Sequence, residues 1–402
     1  MIGATRMPTT DRQVETLLSE LVRIDSVTPW LIPGAAGEAA IGRYMAGWLE
    51  RVDGISVALE EVAPGRSNLV ARLAGSERGP RLWLNAHMDT VGYANWRERA
   101  LIPVRDGDRL IGLGAADDKS SCALGMLALR SLAQRQIRLR GDVVLACVID
   151  EEGASSGTED LLRRHRPEMD ACLVLEPEAL DRIVVEHQGF GWIDLIVHGR
   201  AAHGSAPEVG IDAIVQMAEV IRRLAELDRT GFGHGEGGLS GRTVFHTGTI
   251  QGGTDYATYP SRCVLGIEIG TQPGEHLSER VREIEAIFAD VARVYPTFRG
   301  EVAVRMDRDP FRAVGHEALY DALSRAAERV LGRAPVPAGV NGWGDSGLTQ
   351  GAGVPTLSYG ARGGNFHAPD EWVSVTEVVQ GVEILEEAIV TYLARVARTQ
   401  RR

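Results

Sequence analysis

Lysine is all but missing from this chain: of 43 basic side chains, every one except Lys119 is arginine. So complete a bias reflects a coding genome and needs no reason in the protein, but its single exception asks for one. A basic excess is missing too. The formal net charge is −12, which argues against a nucleic-acid partner, where a positive face would be required. Cysteine is scarce: Cys122, Cys147, Cys172 and Cys263 are scattered within apolar runs with no CxxC spacing. That excludes a disulfide framework and a thiolate metal site, and points to reduced, buried thiols in a cytoplasmic protein. The opening "MIGATRMPTTDRQVETLL" has no apolar centre, so it is not read as a signal peptide. No apolar run approaches the ~18 residues of a membrane span, and no GxSxG elbow supports a serine hydrolase.

What is present is the composition of an ordinary soluble globular protein, 44% apolar and 24% charged over 402 residues. Single cores rarely grow past ~250–300 residues, so two domains are expected. Short Val- and Leu-rich runs, "RLWLNAHMD" (81–89), "DVVLACVID" (142–150) and "ACLVLEP" (171–177), read as fully buried strands. Helical stretches at 118–135 and 156–165 lie between them. Such alternation predicts an α/β domain with a mainly parallel sheet and helices on both faces. From about residue 190 the order becomes β-α-β-β-α-β, the ferredoxin-like α+β arrangement, interrupted by a glycine-rich loop at 230–241. After about residue 307 the first texture returns, with a helix at 316–333, the strand "PTLSYG" and a final helix from 375. The expected domains are therefore 1–188 with 307–402, and an inserted 189–306.

Four strand ends of the α/β part carry His87 with Asp89, Asp117, Glu151–Glu152 and Glu176; His367 follows the late strand. Ligands of open α/β sheets bind outside the carboxyl ends of the strands, where groups distant in sequence converge. Each residue alone has an ordinary explanation: strand-end carboxylates cap helices, and a lone histidine is usually packed and hydrogen-bonded. Together, two histidines and several carboxylates aimed at one crevice call for a cation. Histidine and carboxylate suit Zn²⁺, and also Mn²⁺ or Co²⁺. Asp89, in HxD spacing with His87, is placed to orient the imidazole. Five ligands, with one Glu kept in reserve, fit two ions sharing one carboxylate.

The ordered set "NAHMDT", "GLGAADDKS", "DEEG", "LEP" and a final His before "PDEW" resembles the acetylornithine deacetylase, succinyl-diaminopimelate desuccinylase and carboxypeptidase G family of co-catalytic zinc hydrolases. The resemblance extends through "GRAAHGSAPEVGIDAI" (199–214), which is similar to that family's lid and dimerisation domain. It implies a zinc-exopeptidase-like fold and hydrolysis of an amide in a small N-acylated amino acid or peptide-like compound. It implies His87 and Glu176 on one metal, Glu152 and His367 on the other, and Asp117 bridging them. Glu151 matches the general base, Asp89 the partner of His87, and His203 a lid histidine that meets the developing oxyanion in its own or the neighbouring subunit's site. It also implies a homodimer through the lid, and a cis peptide at Asp117–Asp118.

Two departures bear on the substrate. Gly270 stands where many members carry a lid arginine that reads a free carboxylate, and Ala257 stands where they carry an asparagine. Either Arg262 or Arg362 substitutes, or the substrate is an amide or amine outside the amino acids; Trp343 and Tyr256 are candidates to line its pocket. A non-catalytic binding protein with a degenerate site is disfavoured by the complete ligand set. Lys119, two residues after Asp117, is expected to offset repulsion among the site's acids, in a space too tight for the planar arginine fork.

Overall fold

A computed structural model describes residues 9–77, 79–93, 96–231 and 238–395. The glycine-rich stretch expected as a loop at 230–241 lies in part, at 232–237, outside the described residues. The chain divides into two compact units: Met1–Val185 with Ala313–Ala338 and Gly344–Arg402, and Glu186–Arg312 with Gly339–Trp343.

In the first unit, the strands Val143–Val148, Leu82–His87, Ala171–Leu175 and Thr356–Tyr359 lie side by side and parallel. Every residue of these four strands is buried. That is why they read as unbroken apolar runs: a strand covered on both faces has no polar side to alternate with. Parallelism puts their carboxyl ends on one edge, so His87, the turn after Val148 and Glu176 emerge as neighbours. The flanks are antiparallel. The hairpin Ile55–Ala63 and Arg66–Leu73 joins at Val143–Val148, and Arg182–His187 pairs with Thr356–Tyr359. The helix Lys119–Gln134 is buried at twelve positions and packs against the sheet, the helix Asp11–Val22 and the helix Val375–Arg395. At such a position Leu124→Ala would cost about 2–5 kcal/mol. A small sheet of Val104–Asp106, Arg109–Ile111, Trp372–Ser374 and Gly363–Gly364 ties the segment before Asp117 to the segment around His367.

The second unit is an antiparallel sheet in the order Val244–Gly252, Arg262–Thr271, Gly189–His198, Gly300–Arg308. With the helices Ala213–Gly231 and Leu277–Val294 it has the ferredoxin-like chain order. One face is packed, so the strands alternate: Ile193, Leu195 and Val197 point inward from one, Cys263, Leu265, Ile267 and Ile269 from the next. Met217, Val220 and Leu224, on one helical stripe, and Ile284, Phe288 and Val291 from the other helix complete that core. No helix among the described residues is long and apolar enough to cross a membrane.

Candidate metal centre

His87 ends its strand with the ring buried. Its Nδ1 lies 3.1 Å from the carbonyl oxygen of Asp89 and 3.5 Å from that residue's Oδ1. A carbonyl only accepts, so Nδ1 carries hydrogen, and Nε2 is the ring atom turned toward Asp117. Asp89 thus faces His87 Nδ1 with both its carbonyl and its carboxylate. The carboxylate accepts the backbone N–H groups of Glu151, at 3.1 Å, and Glu152, at 3.0 Å. One residue thereby fixes three others.

Asp117 closes the loop before the helix Lys119–Gln134, and the peptide Asp117–Asp118 is cis. Its Oδ1 is 2.9 Å from His87 Nε2 and its Oδ2 is 3.4 Å from His367 Nε2. His367 Nε2 is also 3.1 Å from Glu152 Oε1. Two groups of three result: His87, Asp117 and Glu176, and Asp117, Glu152 and His367, each with its potential ligand atoms within 4.8 Å of one another. Glu176 is set by its strand, and its backbone lies so close to Gly360 that a Cβ there would stand 2.3 Å from the Glu176 carbonyl oxygen. His367 sits in a turn at φ 57°, its side chain 52% exposed.

The electrostatics are those of a site built around positive charge. Burial pushes the Glu151, Glu152 and Glu176 carboxyls up, and neighbouring acids push them further: Asp345 and Glu152 for Glu151, Asp117 for Glu152, Asp118 for Glu176. Burial opposes the charge of His87, but hydrogen bonds to Asp117 and Asp89 raise it well above the usual imidazole range. Asp117 and Glu152 push His367 up to about 11. Burial would raise Asp117, yet His367 and His87 hold it far below the usual carboxylate range. Glu152 Oε1 is buried, and His367 Nε2 at 3.1 Å is the one group that faces it among the described residues. Buried carboxylates packed this closely are costly unless positive charge meets them, so the donor set fits divalent ions, with Asp117 common to both groups.

The structure brings Asp89, Glu151 and all five expected ligands together in the first unit. His203 lies in the second unit, exposed, in the segment paired with Thr258. Its Nδ1 accepts the Ser205 backbone N–H at 3.2 Å, so a neutral ring carries its proton on Nε2. Lys119 is fully buried, as a space too tight for arginine requires, but its Nζ donates to the Ile24 carbonyl at 2.9 Å and to no acid of the site. Burial lowers it to about 8, with Glu371 and Asp25 the acids that chiefly oppose this. Arg362 is committed to Glu377 at 3.0 Å and Asp181 at 3.5 Å. Tyr256 is fully exposed, whereas Trp343 is half-buried against Phe190 and His187.

Sequence reasoning missed three supports. Asp150, at φ 67° just before Glu151, is held by Thr28 at 2.9 Å, Ser156 at 2.7 Å and Arg66 at 3.1 Å. Asp345, in "GWGDSG", accepts a hydrogen bond from Thr158 and is raised by burial to about 6. Glu371 takes the N–H groups of the Asp117 loop. Acids in glycine-rich or "PDEW"-like runs were the only available signal.

The profile described as Peptidase family M20/M25/M40 matches residues 83–391. The chain belongs to that family. It is similar to N-formyl-4-amino-5-aminomethyl-2-methylpyrimidine deformylase of Bacillus subtilis (strain 168), 26% identical over 425 aligned positions covering 96% of this chain and 97% of the relative. It is 29% identical to acetylornithine deacetylase of Vibrio cholerae serotype O1 over 291 positions, 71% of this chain and 74% of that one. A solved dinuclear metal-binding peptidase of family M20 from Bacillus subtilis shares the fold, with a TM-score of 0.72 at 17% identity, covering 96% of this chain and 99% of that one. Membership of M20 makes this chain a hydrolase of amide C–N bonds.

Proposed function

We propose that this M20 hydrolase cleaves an amide bond in a small N-acylated amino acid or peptide-like compound at a centre of two divalent ions, Zn²⁺ first and otherwise Co²⁺ or Mn²⁺. The supporting observation is Asp117, whose two oxygens face two different His–carboxylate groups. When bound, the ions supply Lewis acidity at the scissile carbonyl and toward water. Glu151 takes a proton from the attacking water and passes it to the departing amine nitrogen. A C–O bond forms, the C–N bond breaks, and the carboxylate returns to its starting state. Asp89 holds Glu151 and Glu152 by their backbones during this transfer. His203 donates its Nε2–H to the oxygen that gains charge as the carbonyl carbon becomes tetrahedral.

A second reading concerns the amine half of the substrate. A Cβ at Gly270 would lie 2.5 Å from Gln188 Oε1, and Gln188 in turn donates to the carbonyls of Ser240 and Arg242. Gln188 fills the space a longer side chain at 270 would need. This favours an amide whose amine carries no free carboxylate, and one relative similar over nearly the whole chain is a formyl-aminopyrimidine deformylase. A panel of N-acetyl and N-formyl amino acids, dipeptides and N-formyl aminomethylpyrimidines decides between the two. Turnover confined to the amino-acid members sinks the second reading, and turnover of none of the amides sinks both.

The same reading has the enzyme cytoplasmic and homodimeric through the second unit. Among the described residues Val244–Gly252 is an edge strand, with Ile250 55% exposed and Ile214 and Val215 exposed on the helix Ala213–Gly231. An open apolar edge of this kind is ordinarily covered.

A further inference from the structure

The loop Gly112–Asp117 delivers the shared carboxylate, and it is gripped by one residue. Glu371 is 1% exposed. Its Oε2 accepts the Gly114 N–H at 3.0 Å, and its Oε1 accepts those of Ala116 and Asp117, both at 2.9 Å. Its backbone carbonyl accepts the Gly112 N–H at 3.0 Å. Gly114 at φ +69° turns the chain so that these N–H groups converge, forming a concave nest for an anion. Here the anion is internal. Glu371 stands four residues after His367, at the start of the strand Trp372–Ser374, which pairs with Arg109–Ile111. The segments bearing Asp117 and His367 therefore meet through this carboxylate.

Lys119 completes the arrangement from the other side. Its stem runs under the same turn: a Cβ at Gly114 would lie 3.1 Å from Lys119 Cδ and 3.2 Å from Cε. With Nζ tied to Ile24, the ammonium has no part in the two ligand groups. A guanidinium fork would need width that this space lacks, which gives the lone lysine a reason: it lies beneath the loop that Glu371 holds.

We propose that Glu371 is a positioning residue for the reaction, placing the Asp117 carboxylate with Oδ1 toward His87 and Oδ2 toward His367, the two groups that would hold the ions. The proposal rests on the two-ion reading. Asp117 is bonded to Glu371 through its backbone N–H, so a shift of the loop displaces both oxygens together and weakens both ions. Glu371→Gln leaves one acceptor oxygen and sets an NH₂ against backbone N–H groups, so the three bonds cannot all persist.

The test measures Co²⁺ affinity and absorption spectrum of the folded protein by titration, and amide hydrogen exchange of the metal-free protein. In Glu371→Gln both Co²⁺ affinities should fall by about 10–100-fold. Exchange should quicken at Gly114, Ala116 and Asp117 while the interior of the helix Lys119–Gln134 stays protected. Glu371→Asp, which keeps the charge but is one methylene shorter, should show a smaller loss in the same direction, and decides the matter if the Gln variant does not fold. Unchanged Co²⁺ affinities and spectrum in a folded variant overturn the proposal, as does loss at one ion only. A parent protein that binds no Co²⁺ defeats the two-ion reading instead; exchange at 114–117 then still reports whether Glu371 holds the loop, and unchanged exchange refutes that too.

Discussion

Replacing Glu151 by Gln separates catalysis from metal holding more cleanly than any other single change. The Glu151 carboxylate lies 3.9 Å from His87 Nε2 and belongs to neither ligand group. Its backbone N–H bond to Asp89 is untouched by the substitution, and Gln is nearly isosteric. Removing a general base costs about 10²–10⁴ in rate, or about 3–5 kcal/mol of barrier at 1.36 kcal/mol per tenfold. Stability should move the other way. Burial disfavours the Glu151 charge, and Asp345 and Glu152 disfavour it further, so metal-free Glu151→Gln should melt no lower than the parent. The assay is kcat on the best amide of the panel, with metal content measured on the same samples and melting followed without metal. Parent-like turnover would refute the assignment of the base. Loss of bound metal would make Glu151 a ligand, and a lower melting temperature would refute the charge argument.

His203→Ala should lower kcat by about 10²–10³ with folding intact; hybrids with Glu151→Gln subunits should regain activity if the histidine serves the neighbouring site, and kcat at the parent level removes it from the mechanism. Burial would raise the buried Glu186, but hydrogen bonds from Ser240 and Arg312 hold it below the usual carboxylate range. A depressed folded-state value stabilises above the unfolded value and is lost as pH falls through the folded one. The melting-temperature gap between parent and Glu186→Gln should therefore be widest near neutral pH and close below about pH 4; a gap constant with pH would contradict this. Ile250→Lys, on the open edge of the second unit, should shift light-scattering mass from dimer toward monomer, and a parent that is monomeric at micromolar concentration removes the dimer altogether.

His87, Glu152 and Glu176 were legible because each follows a buried apolar strand of the main sheet, whose parallel pairing puts the carboxyl ends on one edge; Asp117 instead closes a loop after the small antiparallel sheet, and His367 lies in a turn between two of its strands. The ferredoxin-like order was legible for a similar reason: one covered face imposes alternation on Arg262–Thr271 and Gly189–His198. The hairpin Ile55–Leu73 left no such trace, since its first strand is only partly covered and its burial does not alternate. The sequence sets Lys119 beside the acids at 117 and 118. Its partner is the carbonyl of Ile24, 95 residues away, and nothing local foretells such a contact. Glu371 and Asp345 escaped for the same reason, since their meaning lies in backbone N–H groups and hydroxyls supplied by other segments. Asp89 was found, but half of its work was hidden, because the N–H groups of Glu151 and Glu152 carry no side-chain signature.

If the Asp117 carboxylate serves two ions, metal stoichiometry and affinity must show it. The parent should bind two equivalents of Zn²⁺ or Co²⁺ per chain. Asp117→Ala should weaken both together, whereas His367→Ala should weaken one and leave the other near the parent value. A chain that takes up no divalent ion under any loading condition, or an Asp117→Ala variant that keeps one site at full affinity, would contradict the account.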